Sequence, residues 1–258
     1  MMESVLSPLR GKRVALVTNQ SSFTPDWKSS RLHLHELVGL SCLYAPEHGL
    51  GGYADRGKGV ADTTDPLTGL PVRSLYHGEK SQQAVFDDLD HLIFDIQDVG
   101  VRFYTYISTL RQVMETGIPV TVIDRPNPLG GRVVEGVVLR PEDESFVGPR
   151  GLPIRYGLTI GELAHWMNET YEMGCDLATI DLSAWWRDDL WWNKIVPWVM
   201  TSPAIAHQEG LFFYPGMCLL EATNLHEGRG TSAPFELLGA PFIDSNRLAD
   251  EVRRLDLD

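Results

Sequence analysis

Glu47 and His48 stand together behind an apolar run, LSCLYA (40–45), and a second apolar run, HLIFDI (91–96), opens at once onto Gln97, Asp98, Arg102, Tyr104 and Tyr106. A carboxyl group crowded by aromatics and partly dehydrated keeps its proton nearer neutrality than one in water, and so serves as a general acid. That is what cleavage of a glycosidic bond requires. Glu47 is the candidate acid, with His48, Asp98 and Tyr104 as its assistants. The competing arrangement, Glu47 ion-paired to an arginine such as Arg102, would make the glutamate structural. Sequence leaves both open.

The elements that must position these residues follow from the pattern of apolar runs. RVALVT (13–18), LSCLYA, PVRSLY (71–76), HLIFDI, IPVTVID (118–124) and DLATIDL (176–182) read as strands. Helices are expected over residues 30–38, 107–116 and 159–171, and SNRLADEVRRLDLD closes the chain with a further helical run. Strand and helix alternate, so the fold class is α/β with a Rossmann-like, mainly parallel sheet flanked by helices. In such a sheet the carboxyl ends of the strands line the ligand crevice. Asn19 and Gln20, Glu47 and His48, Gln97 and Asp98, and Asp124, Arg125 and Asn127 all follow strand ends. Asn127, between two prolines, also suits a plain turn.

Two long connections, 46–74 and the Gly- and Pro-rich stretch after Asp124, exceed ordinary βα loops and are expected to wall the crevice. Five of the seven tryptophans fall between Ser183 and Trp198. Packing against the sheet is favoured for them over a sugar-stacking platform. Residues 1–200 are expected to form the Rossmann-like catalytic domain. Residues 201–258, rich in Pro and Gly and carrying the polar cluster LLEATNLHEGRGTSAPFE, are expected to begin a smaller C-terminal auxiliary domain.

Several chemistries are disfavoured. Gly52 to Gly59 imitates a phosphate-binding loop, but Gly59 stands where the magnesium-binding hydroxyl belongs. The turn TNQSSF lacks the glycines of a dinucleotide site. His33 and His35 lie two apart in a helix and point in different directions, and there is no HExxH. A hard cation on Asp95, Asp98 and Asp124 is the remaining metal-dependent alternative. Cys42, Cys175 and Cys218 read as reduced thiols. A net charge of −13 disfavours nucleic acid or an anionic membrane as partner, so an acidic ligand needs a local cation. No window reaches the ~18 apolar residues of a membrane span. Arg10, Lys12 and Arg13 run directly into the first strand, so the chain as written reads as cytoplasmic; an incomplete start would look the same.

Five blocks in order, YAPEHGL (44–50), TGLPVRSLY (68–76), FDIQDVGVRFYTY (94–106), DRPNPLGG (124–131) and EATN with EGRGT (221–231), resemble the exo-β-N-acetylmuramidase family known as NamZ. The resemblance covers nearly the whole chain. It implies a bacterial exo-acting glycoside hydrolase of cell wall recycling, which removes β-1,4-linked N-acetylmuramic acid from the non-reducing end of peptidoglycan fragments. It also implies a Rossmann-like domain whose cleft a smaller C-terminal domain completes, no cofactor, and Glu47 as the catalytic glutamate. The lactyl carboxylate of the sugar would be received by Arg102, Arg125 or Arg229, with Arg229 favoured between two glycines. Asn19, Tyr104, Tyr106, Asn127, Asn224 and Glu227 are the other substrate-binding candidates. Asp98, Glu221 and Glu227 are candidates for a second carboxyl group, whose distance from the first would decide between retention and inversion. The chain departs from the family at Ala204, where relatives tend to carry asparagine, and it ends early. A catalytically weak muropeptide-binding or sensing protein is the alternative function.

Overall fold

The computed structural model describes residues 2–76, 86, 88–182, 185–190 and 198–255. The chain divides into two compact units, Met1–Pro203 and Ala204–Asp258.

The first unit is built on a seven-stranded sheet in the order β3-β4-β2-β1-β5-β6-β7. Its strands are β1 (Val14–Thr18), β2 (Cys42–Ala45), β3 (Thr63–Thr64), β4 (Pro71–Ser74), β5 (His91–Asp95), β6 (Val120–Ile123) and β7 (Leu177–Ile180). All pairings are parallel except the edge pair of β3 with β4. Set β3 aside and the order is that of a doubly wound sheet, in which the chain leaves β1 on one side for β2 and returns on the other as β5. The switch point therefore lies between β1 and β5. Their register pairs Thr18 with Asp95, so Asn19 and Ile96 emerge side by side at the carboxyl edge.

β1 is buried at every position, as a central strand covered on both faces must be. Leu16, Leu43 and Ile93 share a cluster with Leu34, Leu37 and Val38 of α2 (Ser30–Val38) and with Leu6 of the short α1 (Met2–Leu6). α2 ends on Gly39 in the left-handed region, φ 75°. Beyond β5, α3 (Tyr106–Met114) packs on α4 (Ile160–Thr170), and α4 packs on β6 and β7. α4 starts with a complete capping box between Thr159 and Glu162.

All the expected strands and helices are present, and α1, β3 and, in the second unit, α5 (Gly210–Met217) are additions. β3 escaped because it is two exposed threonines inside the Gly-rich connection, paired only at the sheet edge. Trp191 and Trp192 lie outside the described residues; of their neighbours, Trp186 is exposed and Trp185 has the Arg187 guanidinium 5.4 Å from its ring.

The second unit holds α5 (Gly210–Met217), a 3-10 turn over Cys218–Ala222, and α6 (Ser245–Arg254), which is N-capped by Asp244. Its small core includes Tyr214 packed edge-on against Phe235, ring centroids 4.7 Å apart.

Candidate active site

The loop after β2 turns sharply. His48 takes φ 71° and Gly49 φ 77°, a left-handed pair that reverses the chain directly behind Glu47. Glu47 is buried, and both of its oxygens accept hydrogen bonds. The Gly57 amide donates to Oε1 at 3.0 Å and the Thr105 hydroxyl to Oε2 at 2.7 Å. The Gly-rich loop that imitates a phosphate cradle thus folds back and cradles a carboxyl group of its own chain. Nδ1 of His48 lies 2.7 Å from the Ala54 carbonyl, which only accepts, so Nδ1 carries the proton and Nε2 is left for other partners. Among the described residues Glu47 makes no ion pair. Arg102, its suspected partner, instead donates from Nη1 to the carbonyls of Val137 and Leu152, 2.6 Å each, and so braces the connection after β6.

Thr105 sits at the N-cap of α3, but its hydroxyl caps nothing because it is given to Glu47. The two tyrosines beside it form an edge-on pair with centroids 4.8 Å apart. Tyr104 donates to Thr201 Oγ1 at 2.8 Å and Tyr106 to the Thr201 carbonyl at 2.5 Å. Burial is the main reason that the Tyr106 phenol is pushed well above its ordinary range, and the Tyr104 hydroxyl and the Glu47 charge add to it. Tyr104 is raised chiefly by burial, with the Asp98 charge contributing. Tyr106 thus feels the Glu47 charge and Tyr104 the Asp98 charge, and both phenols remain protonated.

At the end of β5, Asp98 is buried, and Oδ2 takes both the Gly100 amide, at 2.6 Å, and the Tyr156 hydroxyl. Burial lifts its pKa to about 6 against the lowering effect of those donors. Oδ1 has no hydrogen-bond partner among the described residues. Gly100 is required here: φ is +79°, and a Cβ would fall 2.2 Å from Asn127 Oδ1. Gln97 spends its amide NH₂ on the carbonyls of Asp98 and Pro126, and Asn19 accepts from the amide and hydroxyl of Ser21; Gln97 Oε1 and Asn19 Nδ2 have no hydrogen-bond partner among the described residues. Uncompensated buried polar atoms are costly, and their concentration at a switch point is what a polar ligand site looks like.

The residues after β6 are engaged differently. Asp124 accepts from the amides of Gly161 and Arg125 and from the Thr159 hydroxyl, at 2.7, 2.9 and 3.0 Å, and so holds the start of α4. Arg125 is ion-paired with Asp95 at 2.5 Å. Asn127 ties a turn, donating to the Leu158 carbonyl and accepting from the Leu129 amide. Asp95, Asp98 and Asp124 thus each have separate partners, and no group of three metal-ligating side chains is placed to hold an ion among the described residues.

Asn224, Glu227 and Arg229 belong to the second unit. There Asn224 is exposed, and Arg229 pairs with Glu221, lies 3.5 Å from Glu227 and covers the Phe235 ring at 5.0 Å.

Residues 14–209 match the family model described as Exo-beta-N-acetylmuramidase NamZ, N-terminal, and residues 212–258 match its C-terminal counterpart. The chain belongs to the NamZ family. A Bacillus subtilis (strain 168) relative, named peptidoglycan beta-N-acetylmuramidase NamZ, is 44% identical over 256 residues, which is 96% of this chain and 62% of the relative. The chain thus spans less than two thirds of that NamZ protein. Two solved structures of DUF1343 family proteins from Bacteroides fragilis NCTC 9343 share the fold. One has a TM-score of 0.87 at 38% identity, covering 99% of this chain and 67% of its own. The other has a TM-score of 0.78 at 29% identity, covering 95% and 67%.

Four contributors to the site went unnoticed in the sequence: Thr105, Gly57, Tyr156 and Thr201. Thr105 alone carried a signal, as a threonine at a helix start between two aromatics. Tyr156 approaches Asp98 from 58 positions away and had none.

Proposed function

We propose that this chain is an exo-acting glycoside hydrolase that releases β-1,4-linked N-acetylmuramic acid from the non-reducing end of peptidoglycan fragments, with Glu47 as the general acid. The observation that carries the reading is the setting of Glu47. It is buried beside the switch point of the sheet, free of any cation among the described residues, and fixed by the Gly57 amide and the Thr105 hydroxyl. A hydroxyl both donates and accepts, so the Thr105 contact persists whether Glu47 holds its proton or has given it away. A general acid needs that tolerance, because the carboxyl group changes state in each turnover. The name of the Bacillus subtilis relative supports the same chemistry.

In this reading Glu47 gives its proton to the glycosidic oxygen as the bond to C1 of the muramic acid residue breaks. Tyr104 and Tyr106, kept protonated by burial, give their hydroxyl protons to Thr201 and add no charge to the site. The test is digestion of a saccharide that ends in N-acetylmuramic acid, with products followed over time. Free N-acetylmuramic acid as the sole early sugar product is the expected result. Internal cleavage would overturn the exo mode, and binding without any product would favour a muropeptide-binding protein.

A further inference from the structure

Resting on that reading, we propose that Asp98 is the second carboxyl group of the reaction, the base that takes a proton from the attacking water, and that Tyr156 is the positioning residue that holds it for the task. The geometry is asymmetric. The Gly100 amide and the Tyr156 hydroxyl both bond to Oδ2, and Oδ1 has no hydrogen-bond partner among the described residues. Asp65 also keeps its donors on one oxygen, but it ties a turn next to the edge strands and is paired with Arg31, whereas Asp98 stands at the switch point. Asp124, one strand away, is tied on both oxygens, with amides on Oδ1 and a hydroxyl on Oδ2. Tyr156 is pushed well above the ordinary tyrosine range by burial and by the Asp98 charge, so it stays a donor at every working pH.

The groups that face Asp98 are Tyr156, from the segment ahead of α4, Tyr104, from the turn ahead of α3, and the amides of Val99 and Gly100 on its own loop. Among the described residues no cation pairs with it. Its proton affinity is therefore set by burial against the hydrogen bonds it accepts, and it titrates at about 6, where an ionised carboxylate at neutral pH is still basic enough to accept a proton.

The step balances. As Glu47 protonates the leaving oxygen and the bond to C1 breaks, the water oxygen bonds to C1 and one water proton passes to Asp98 Oδ1. The sugar leaves with the new hydroxyl, Glu47 has lost a proton and Asp98 has gained one, and solvent restores both.

The experiment is the pH profile of kcat for release of N-acetylmuramic acid from a disaccharide in which a second sugar is the leaving group, whose departure depends on the acid, in wild type, Tyr156→Phe and Glu47→Gln. The Tyr156 hydroxyl stabilises the ionised form, so removing it raises the Asp98 pKa. Asp98 acts ionised, so the acid limb in Tyr156→Phe moves to higher pH by about one unit. KM should stay within a few-fold. An acid limb that does not move, in a folded variant with the wild type active and Glu47→Gln inactive, overturns the role of Asp98 and leaves the proposed function standing. An inert wild type overturns both. Should Tyr156→Phe fail to fold, the isosteric Asp98→Asn decides: the inference expects kcat to fall at least 100-fold with saccharide binding kept, and wild-type kcat refutes it.

Discussion

The ends of β5 and β6 carry two aspartates that one number cannot tell apart. Asp98 is buried and Asp124 half-buried, and desolvation lifts each to about 6. Their surroundings separate them. Asp124 meets three donors on its two oxygens and fastens the start of α4 to the sheet, whereas Asp98 takes its hydrogen bonds on one oxygen and the other has no partner among the described residues. A raised pKa therefore marks burial, and an unpartnered oxygen at the switch point marks a site.

Substitution should split the pair. Asp98→Asn is expected to lower turnover by about 10²–10⁴-fold, the range of a lost acid or base, with little change in melting temperature. Gly100→Ala comes next. Its Cβ would land 2.2 Å from Asn127 Oδ1 in a left-handed backbone, so it should cost about 1–3 kcal/mol in denaturant unfolding and also lower turnover by displacing the amide that holds Asp98. Asp124→Ala should cost about 1–2 kcal/mol through the unpaired amides at the start of α4 while kcat stays near wild type. A large loss of turnover in Asp124→Ala without unfolding would break the comparison.

The smallest effect is on stability against pH. Each aspartate binds its proton more tightly folded than unfolded, so between about pH 4 and 6 the native state holds more protons than the unfolded chain. That contribution to stability is complete at the low end and is lost as pH rises through 6. Asp98→Asn should flatten part of the decline, as read from unfolding midpoints across that window. The same change removes a limb from the activity profile only if Asp98 acts in the reaction.

The fold was legible because its signal is local. A parallel strand buried on both faces is a short apolar run such as VALVT or HLIFD, and the residue after it names itself by position. That is why Glu47, Asp98 and Asn19 could be picked out before any geometry. Roles were less legible, because a role depends on what arrives from elsewhere in the chain. Arg102 and Arg125 read in sequence as candidates to receive a carboxylate, and folding commits one to loop carbonyls and the other to Asp95. Asn127 reads equally as a ligand or a turn, and its amide ties a turn. α5 was hidden by Pro215 and two glycines inside the helix, and Tyr156 by the distance along the chain to the aspartate it serves.

The most direct test of Glu47 as the general acid is release of chromophore from an aryl β-N-acetylmuramide by wild type and Glu47→Gln, with the matching N-acetylglucosaminide as control. The account predicts release from the muramide alone and a fall of at least about 100-fold in the folded Glu47→Gln protein on a substrate with a poor leaving group, which depends on the acid. Undiminished turnover in that variant would contradict it.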